Sequence, residues 1–181
     1  YSANTRRLKG GQEMITIKTC DQLKEIKKEY NDIQAKFSHR IYVCAGAGCV
    51  SSNCALIRDS VIDELKNIGL SKEVPVYETG CMGTCAVGPV MLILPERVFY
   101  TNLTEDKARR IIRAHLKKGE IIEEYTFYDQ SLEKYVPIID DINFFKNQVK
   151  IALRNCGSIE YASINAYIAN DGYAAACKAV T

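Results

Sequence analysis

The chain has 181 residues, of which 47% are hydrophobic and 25% charged, and its formal net charge at pH 7 is +2. These values describe a globular protein of one domain, or of one domain with an extension, and they exclude collagen, disordered tails and polyelectrolytes. Eight cysteines accompany only two histidines, which is too many thiols to be incidental and too few for a miniprotein held by disulfides.

The sequence predicts neither a membrane span nor a secretory signal. Its best apolar run, residues 90–94, falls far short of the roughly 18 residues of a spanning helix, and its N-terminus is polar. Residues 1–40 hold nine Lys and Arg against five Asp and Glu, a surplus too small to indicate nucleic-acid binding. We therefore expect a cytoplasmic protein, in which clustered thiols more often bind metal or do redox chemistry than form structural disulfides.

The first half of the chain alternates helices and strands. A polar leader, residues 1–13, is expected to contribute nothing to the core, and residues 14–39 hold an amphipathic helix from Thr19 to Phe37. A strand over 40–44 then ends in a glycine-bearing loop over 45–49. Residues 55–68 return to helical spacing and stop at Gly69.

A second strand and a hairpin follow. The strand, residues 74–78, also runs into a loop rich in glycine and cysteine, residues 80–89. Residues 90–94 and 98–101 are predicted to pair as a hairpin, and a last helix begins near Thr104 and ends before Gly119. This order predicts an α/β sandwich in which a βαβ unit precedes a hairpin and a closing helix, the element order of a thioredoxin-like domain over residues 40–127.

The remaining sequence is predicted to lie outside that domain. Residues 120–141 have the pattern of an extended connector, so the stretch between the domain and the tail is assigned to residues 128–143. Residues 144–181 resemble short helices joined by turns. Because about forty residues can hardly bury a core of their own, this tail is expected to pack on another surface.

Four cysteines form two pairs, each in a glycine-bearing loop directly after a predicted strand. Cys44 and Cys49 are separated by four residues, and Cys81 and Cys85 by three. Since the ends of neighbouring parallel strands lie at the same edge of a sheet, both loops should face one point. Two thiolates for each iron are what a [2Fe-2S] cluster requires, and this spacing favours such a cluster.

Other uses of these thiols are less consistent with the spacing. A structural zinc site usually has two residues between the cysteines of a pair, and no Cys-x-x-Cys dithiol is present. Two disulfides would contradict the cytoplasmic assignment. We expect Gly46, Gly48, Gly80 and Gly83 to let the backbone wrap closely and aim N–H groups at the cluster sulfurs.

The remaining cysteines and the histidines are predicted to have structural roles. Cys54 is expected to be a non-ligating thiol under the first loop, although it could be a spare ligand. Cys20, Cys156 and Cys177 have no partner at metal-binding spacing and are expected to be small buried residues. His115 is expected to pack in the core or on the surface.

The residues VCAGAGC at 43–49, ETGCMGTCAVGP at 78–89 and VFY at 98–100 carry a specific resemblance. They resemble the thioredoxin-like [2Fe-2S] ferredoxins, including the small iron–sulfur subunit of respiratory NADH dehydrogenase. The tail, FFKNQVKIALRNCG at 144–157, is similar to the opening of the NADH- and FMN-binding flavoprotein subunit of that enzyme class. A ferredoxin domain fused ahead of that opening is typical of the beta subunit of soluble NAD-linked, often electron-bifurcating, iron hydrogenases and related formate dehydrogenases.

The resemblance implies a thioredoxin-like [2Fe-2S] ferredoxin domain with an N-terminal helix and a C-terminal helical extension, the start of a truncated flavoprotein domain. It implies a cluster held by Cys44, Cys49, Cys81 and Cys85 and partners among the subunits of an NAD-linked oxidoreductase, in which this segment is an electron carrier and no catalyst. FMN, NAD and [4Fe-4S] are expected only in a downstream part, because no phosphate-binding glycine motif occurs here. A free-standing ferredoxin or redox sensor and a zinc-stabilised interaction module are the alternatives.

Overall fold

A computed structural model describes residue 17 and residues 19–180, so the leader predicted for residues 1–13 lies outside the described residues. The helices and strands are α1 (Cys20–Gln34), β1 (Arg40–Cys44), α2 (Ala47–Ser51), α3 (Cys54–Asn67), β2 (Val76–Thr79), β3 (Met91–Leu94), β4 (Val98–Tyr100), α4 (Glu105–Ile112), β5 (Phe127–Asp129), β6 (Lys134–Val136), α5 (Asn143–Lys146), α6 (Ile164–Ala169) and α7 (Ala174–Val180). No helix among these is long and apolar enough to cross a membrane.

The central sheet has four strands in the order β2-β1-β3-β4. β1 pairs with β2 in parallel, as a βαβ unit requires, whereas β1 with β3 and β3 with β4 are antiparallel. Helices α3 and α4 pack against each other, and the apolar residues of both join the strands in one core. The predicted α/β sandwich is therefore confirmed.

The register of the parallel pair decides where the two loops begin. Cys44, the last residue of β1, lies opposite Thr79, the last residue of β2. The Ala45 N–H continues the ladder by donating to the Thr79 carbonyl at 2.9 Å. Both loops therefore start at the same edge of the sheet, as predicted.

Local signals placed most elements within a few residues. Thr19 caps α1 through a capping box with Gln22, although the helix ends at Gln34, three residues before the predicted Phe37. The loop predicted over 45–49 is wrong in part, because residues from Ala47 onward form α2. The helix after β4 continues as a π-helical turn to Lys118, and Gly119 ends it with a φ of 70°.

The stretch predicted as an extended connector is part of the domain surface. The Phe99 N–H donates to the Pro137 carbonyl at 2.8 Å, and the Thr101 N–H donates to the Tyr125 carbonyl at 2.9 Å. These bonds cover the free edge of β4, which would otherwise expose unpaired backbone groups. Ile139 and Ile142 are buried in the core, and β5 and β6 form a small hairpin.

The C-terminal part of the tail is held against α1, whereas Phe145 near its start packs against the central core. Helix α6 packs along α1, and Lys27 of α1 forms an ion pair with Asp171 at 2.6 Å. Cys20, the first residue of α1, is joined by a disulfide to Cys177 of α7. The expectation that a tail of this size packs on another surface is confirmed.

Candidate metal centre

The two loops that follow β1 and β2 bring the four paired cysteines to one edge of the sheet. Cys44 and Cys49 are buried, each with 2% of its surface exposed, whereas Cys81 is half-buried and Cys85 is exposed. The Sγ atoms of Cys81 and Cys85 lie 4.0 Å apart. The site therefore has an inner pair away from solvent and an outer pair at the surface.

Glycines allow these loops to meet face to face. A Cβ on Gly46 would lie 2.7 Å from the Cβ of Cys81, and one on Gly48 would lie 3.1 Å from the Sγ of Cys85. A Cβ on Gly88 would lie 3.2 Å from the Sγ of Cys49. Because no side chain larger than hydrogen fits at Gly46, the loop after β1 needs glycine opposite the outer cysteine pair.

The other two glycines singled out in the sequence serve a different contact. The open side of Gly80 is occupied by the thiol of Cys156, and that of Gly83 by the ring of Phe144. Both neighbours belong to the tail. The Gly83 N–H does donate to the Sγ of Cys81 at 3.4 Å, as expected for an amide aimed at a cluster ligand.

The surroundings of Cys49 and Cys85 disfavour an isolated thiolate at either position. Burial, reinforced by the neighbouring Cys44 thiol, raises the pKa of Cys49 to about 12. The contact with Cys81 raises the pKa of Cys85 above its usual value. Thiolates in such a site need compensating positive charge, which a bound metal centre supplies as it displaces the protons.

One buried polar atom in the second loop has no partner among the described residues. It is the hydroxyl oxygen of Thr84, which lies between Cys81 and Cys85. A buried hydroxyl without a partner is costly, and a sulfur atom held between the loops would accept its hydrogen bond. Sequence reasoning missed Thr84, although a hydroxyl residue between two paired cysteines was a visible signal.

The four thiols are divided between two loops, with Cys44 and Cys49 in one and Cys81 and Cys85 in the other. Among residue 17 and residues 19–180, no group of three or more His, Cys, Asp and Glu side chains could hold one metal ion. A two-iron cluster takes two thiolates for each iron, whereas a structural zinc ion takes four donors around one centre. Two loops with two thiols each match the number of thiolates that a two-iron cluster requires.

The remaining cysteines have three different environments. Cys54 is buried at the start of α3, and burial raises the pKa of its thiol. Cys156 is half-buried against Gly80. The expectation that Cys20 and Cys177 are separate buried thiols is wrong, because they form the disulfide between α1 and α7. Their sequence separation of 157 residues left no local signal of that pairing.

His115 has the packing role predicted for it. Its ring is 4% exposed, and its Nδ1 lies 2.9 Å from the hydroxyl oxygen of Tyr100. Burial lowers the pKa of His115, so the neutral ring is favoured in the fold. The histidine is located between α4 and β4, away from the two loops.

Sequence comparisons with known proteins identify the family and two relatives of this chain. The sequence profile of the thioredoxin-like [2Fe-2S] ferredoxins matches residues 13–116. A [2Fe-2S] ferredoxin of Clostridium pasteurianum is 36% identical over 93 residues, which cover 47% of this chain and 91% of the relative. A putative [2Fe-2S] ferredoxin of Priestia megaterium is 26% identical over 98 residues, covering 54% of this chain and 76% of the relative.

Among solved structures, the thioredoxin-like [2Fe-2S] ferredoxin of Aquifex aeolicus is similar with a TM-score of 0.47 and 22% identity. The match covers 52% of this chain and 99% of that one. The profile match spans more than half of the 181 residues, and the clostridial relative is covered almost completely. This chain therefore belongs to the thioredoxin-like [2Fe-2S] ferredoxin family.

Proposed function

We propose that the chain carries one [2Fe-2S] cluster and acts as a one-electron carrier. The four thiolate ligands in this proposal are Cys44, Cys49, Cys81 and Cys85. The observation that carries the assignment is the close approach of the two loops, in which Gly46 lies directly against Cys81. When bound, a cluster of this kind supplies a couple that takes up and releases one electron.

The loops supply hydrogen-bond donors to the ligand sulfurs and set how far each ligand is exposed to solvent. The Gly83 N–H donates to the Cys81 sulfur, and the Thr84 hydroxyl is free among the described residues to donate to another sulfur. Donors of this kind stabilise the more negative oxidation state. Cys44 and Cys49 are buried and so lie away from solvent on the inner side of the site. Cys85 is exposed and marks the edge that a redox partner can approach.

Cysteine substitution tests the ligand set. Cys81→Ala should abolish the rhombic EPR signal of the reduced cluster and lower the iron and acid-labile sulfide content. Cys54→Ala is the matched control, since Cys54 is a buried thiol close to the first loop and is not a proposed ligand. Loss of the cluster in Cys54→Ala with retention in Cys49→Ala would contradict the assignment, and a colourless protein containing zinc would exclude the cluster.

The finer part of the proposal concerns the tail. We propose that residues 144–181 begin a flavoprotein domain and that the chain acts within an NAD-linked oxidoreductase of the hydrogenase or formate dehydrogenase type. The resemblance of residues 144–157 supports this, as does the strong exposure of apolar Val149 and Ile151, at 89% and 82%. In that setting FMN, NAD and [4Fe-4S] belong to other parts of the complex.

Isolation from the native source distinguishes this setting from a free-standing ferredoxin. In the proposed complex, affinity capture through an antibody against the ferredoxin domain should recover flavin, and NADH should elicit the reduced [2Fe-2S] signal. Recovery of a small ferredoxin without flavin, unresponsive to NADH, would contradict the complex and favour the free carrier.

A cytoplasmic location is also part of this proposal. The Cys20–Cys177 disulfide is the feature that argues against it, because structural disulfides are uncommon in reducing compartments. Alkylating free thiols during cell lysis tests whether Cys20 and Cys177 are reduced or disulfide-bonded in the cell. Alkylation of both cysteines is expected for a cytoplasmic protein, and resistance of both would place the chain in an oxidising compartment.

A further inference from the structure

The tail touches the second cysteine loop through its own backbone. The Gly157 N–H donates to the Thr79 hydroxyl oxygen at 2.9 Å, and both groups are buried. The Tyr161 N–H donates to the Glu78 carbonyl oxygen at 2.9 Å. Residues 157–161 therefore dock on the end of β2, directly before the loop that carries Cys81.

Three glycine contacts continue this docking along the loop. A Cβ on Gly80 would lie 2.8 Å from the Sγ of Cys156, which is its nearest neighbour. A Cβ on Gly157, whose φ is 88°, would lie 3.5 Å from the side chain of Met82. On the outer side, Gly83 faces the ring of Phe144 at 3.7 Å. Glycines thus occur where the tail and the loop approach most closely.

The tail also lines one side of an open groove beside a predicted ligand. The groove, about 290 Å³ in volume, is lined by Cys81, Met82 and Gly83 on the loop side. Phe144 and residues 148–153 line it on the tail side. The tail therefore borders the space beside Cys81, while Cys85 is left exposed.

We propose that residues 144–161, here called the tail cover, form a functional part of the cluster site. The tail cover holds the loop of residues 80–83, and with it the Cys81 thiol, in place. This inference rests on the proposed function, because it takes Cys81 to be a cluster ligand. Outer-shell contacts of this kind orient ligands, and their loss weakens metal retention by about 10- to 100-fold.

Thr79→Val tests the docking bond without altering a thiol. Valine has nearly the shape of threonine but cannot accept the hydrogen bond from Gly157. Hydrogen exchange of the Gly157 amide should accelerate, and iron loss to a chelator should become about tenfold faster. Thr101→Val is the matched control, because the buried Thr101 hydroxyl donates to the Thr126 carbonyl at the β4 edge of the sheet, which is the edge opposite β2. It should change neither measurement.

Gly80→Ala approaches the same contact from the loop. The added methyl group would meet the Cys156 thiol, which can yield only by rotating about χ1 or by moving its turn. Iron loss should accelerate and Gly157 should lose protection. Adding Cys156→Ala removes the opposing sulfur, since the Cys156 Cβ would lie 3.8 Å away, and should restore both measurements toward the wild type.

Two outcomes would overturn the tail cover. One is that Thr79→Val exposes Gly157 to exchange while iron loss stays at the wild-type rate. The other is that the Gly80→Ala, Cys156→Ala double variant loses iron as fast as Gly80→Ala, which would place the effect in the loop itself. A wild-type chain that binds no iron or sulfide would refute the proposed function, whereas exchange at Gly157 would still report whether the tail docks.

Discussion

Gly46→Ala is the sharpest test of how the two loops form one site. Gly46 has φ −66° and ψ 158°, an extended conformation that alanine adopts without strain, so the main changes are the contact across the loops and a poorer N-cap for α2. The new Cβ would lie 2.7 Å from the Cβ of Cys81 and 3.0 Å from its Cα. The closer distance is about 0.7 Å short of ordinary van der Waals contact, whereas ligand constellations tolerate displacements of about 0.5 Å.

The expected result is loss of most of the cluster with retention of the fold. Retention of the cluster against a chelator should fall by about 10- to 100-fold. Iron and sulfide per chain and the visible absorbance measure this loss. Circular dichroism of the apoprotein should stay near the wild type, while its urea midpoint should fall, because an overpacked contact typically costs about 1–3 kcal/mol.

Gly48→Ala is the graded control for this prediction. Its Cβ would be only about 0.3 Å short of ordinary contact with Cys85, and alanine favours the helical position in α2. It should therefore retain more cluster than Gly46→Ala. Equal retention in Gly46→Ala and the wild type, or a greater loss in Gly48→Ala, would refute the reasoning.

Other predictions concern stability. In protein whose Cys20–Cys177 disulfide has formed, Cys177→Ser should lower the free energy of unfolding by up to about 5 kcal/mol in urea titrations, the chain-entropy value for the loop closed with Cys20; equal free energies of unfolding for the oxidised wild type and the variant would contradict it. Arg113→Ala should lower the urea midpoint, because Glu64 is 1% exposed and Arg113 is its ion-pair partner; an unchanged midpoint would exclude that role. Hydrogen bonds from Arg113 lower the pKa of Glu64, and burial lowers the pKa of His115. Each group therefore stabilises the fold fully at pH values above its unfolded pKa, which is about 4.3 for glutamate and about 6.5 for histidine. Stability should therefore fall on acidification from pH 7, through the His115 range and then the Glu64 range, and a flat profile of unfolding midpoints down to pH 4 would contradict this.

The sequence was most informative where structure depends on neighbours along the chain. The change from helical period at residues 40–44 predicted β1 with its observed ends, and Gly119 marked the stop of the closing helix. The same local signals placed both cysteine loops after strands, and the parallel pairing of β1 with β2 then brought them to one edge. The assignment of the four ligands stays a prediction that metal analysis of the variants tests.

Contacts between distant residues required the tertiary structure. The edge of β4 could be covered by many segments, and nothing in the composition of residues 120–141 showed that they would do so. The sequence also assigned Gly80 and Gly83 to the cluster because they flank Cys81, whereas their open sides face the tail.

The sequence alone determined the fold class, the two cysteine pairs and the glycines that let their loops approach, because hydrophobic period, turn residues and ligand spacing are local properties. Only the tertiary structure decided that Cys20 pairs with Cys177, that Thr84 has no partner among the described residues and that Cys156 lies against Gly80. The physical reason is that packing and hydrogen-bond satisfaction depend on which surfaces meet after the chain has folded, and sequence spacing carries no record of that.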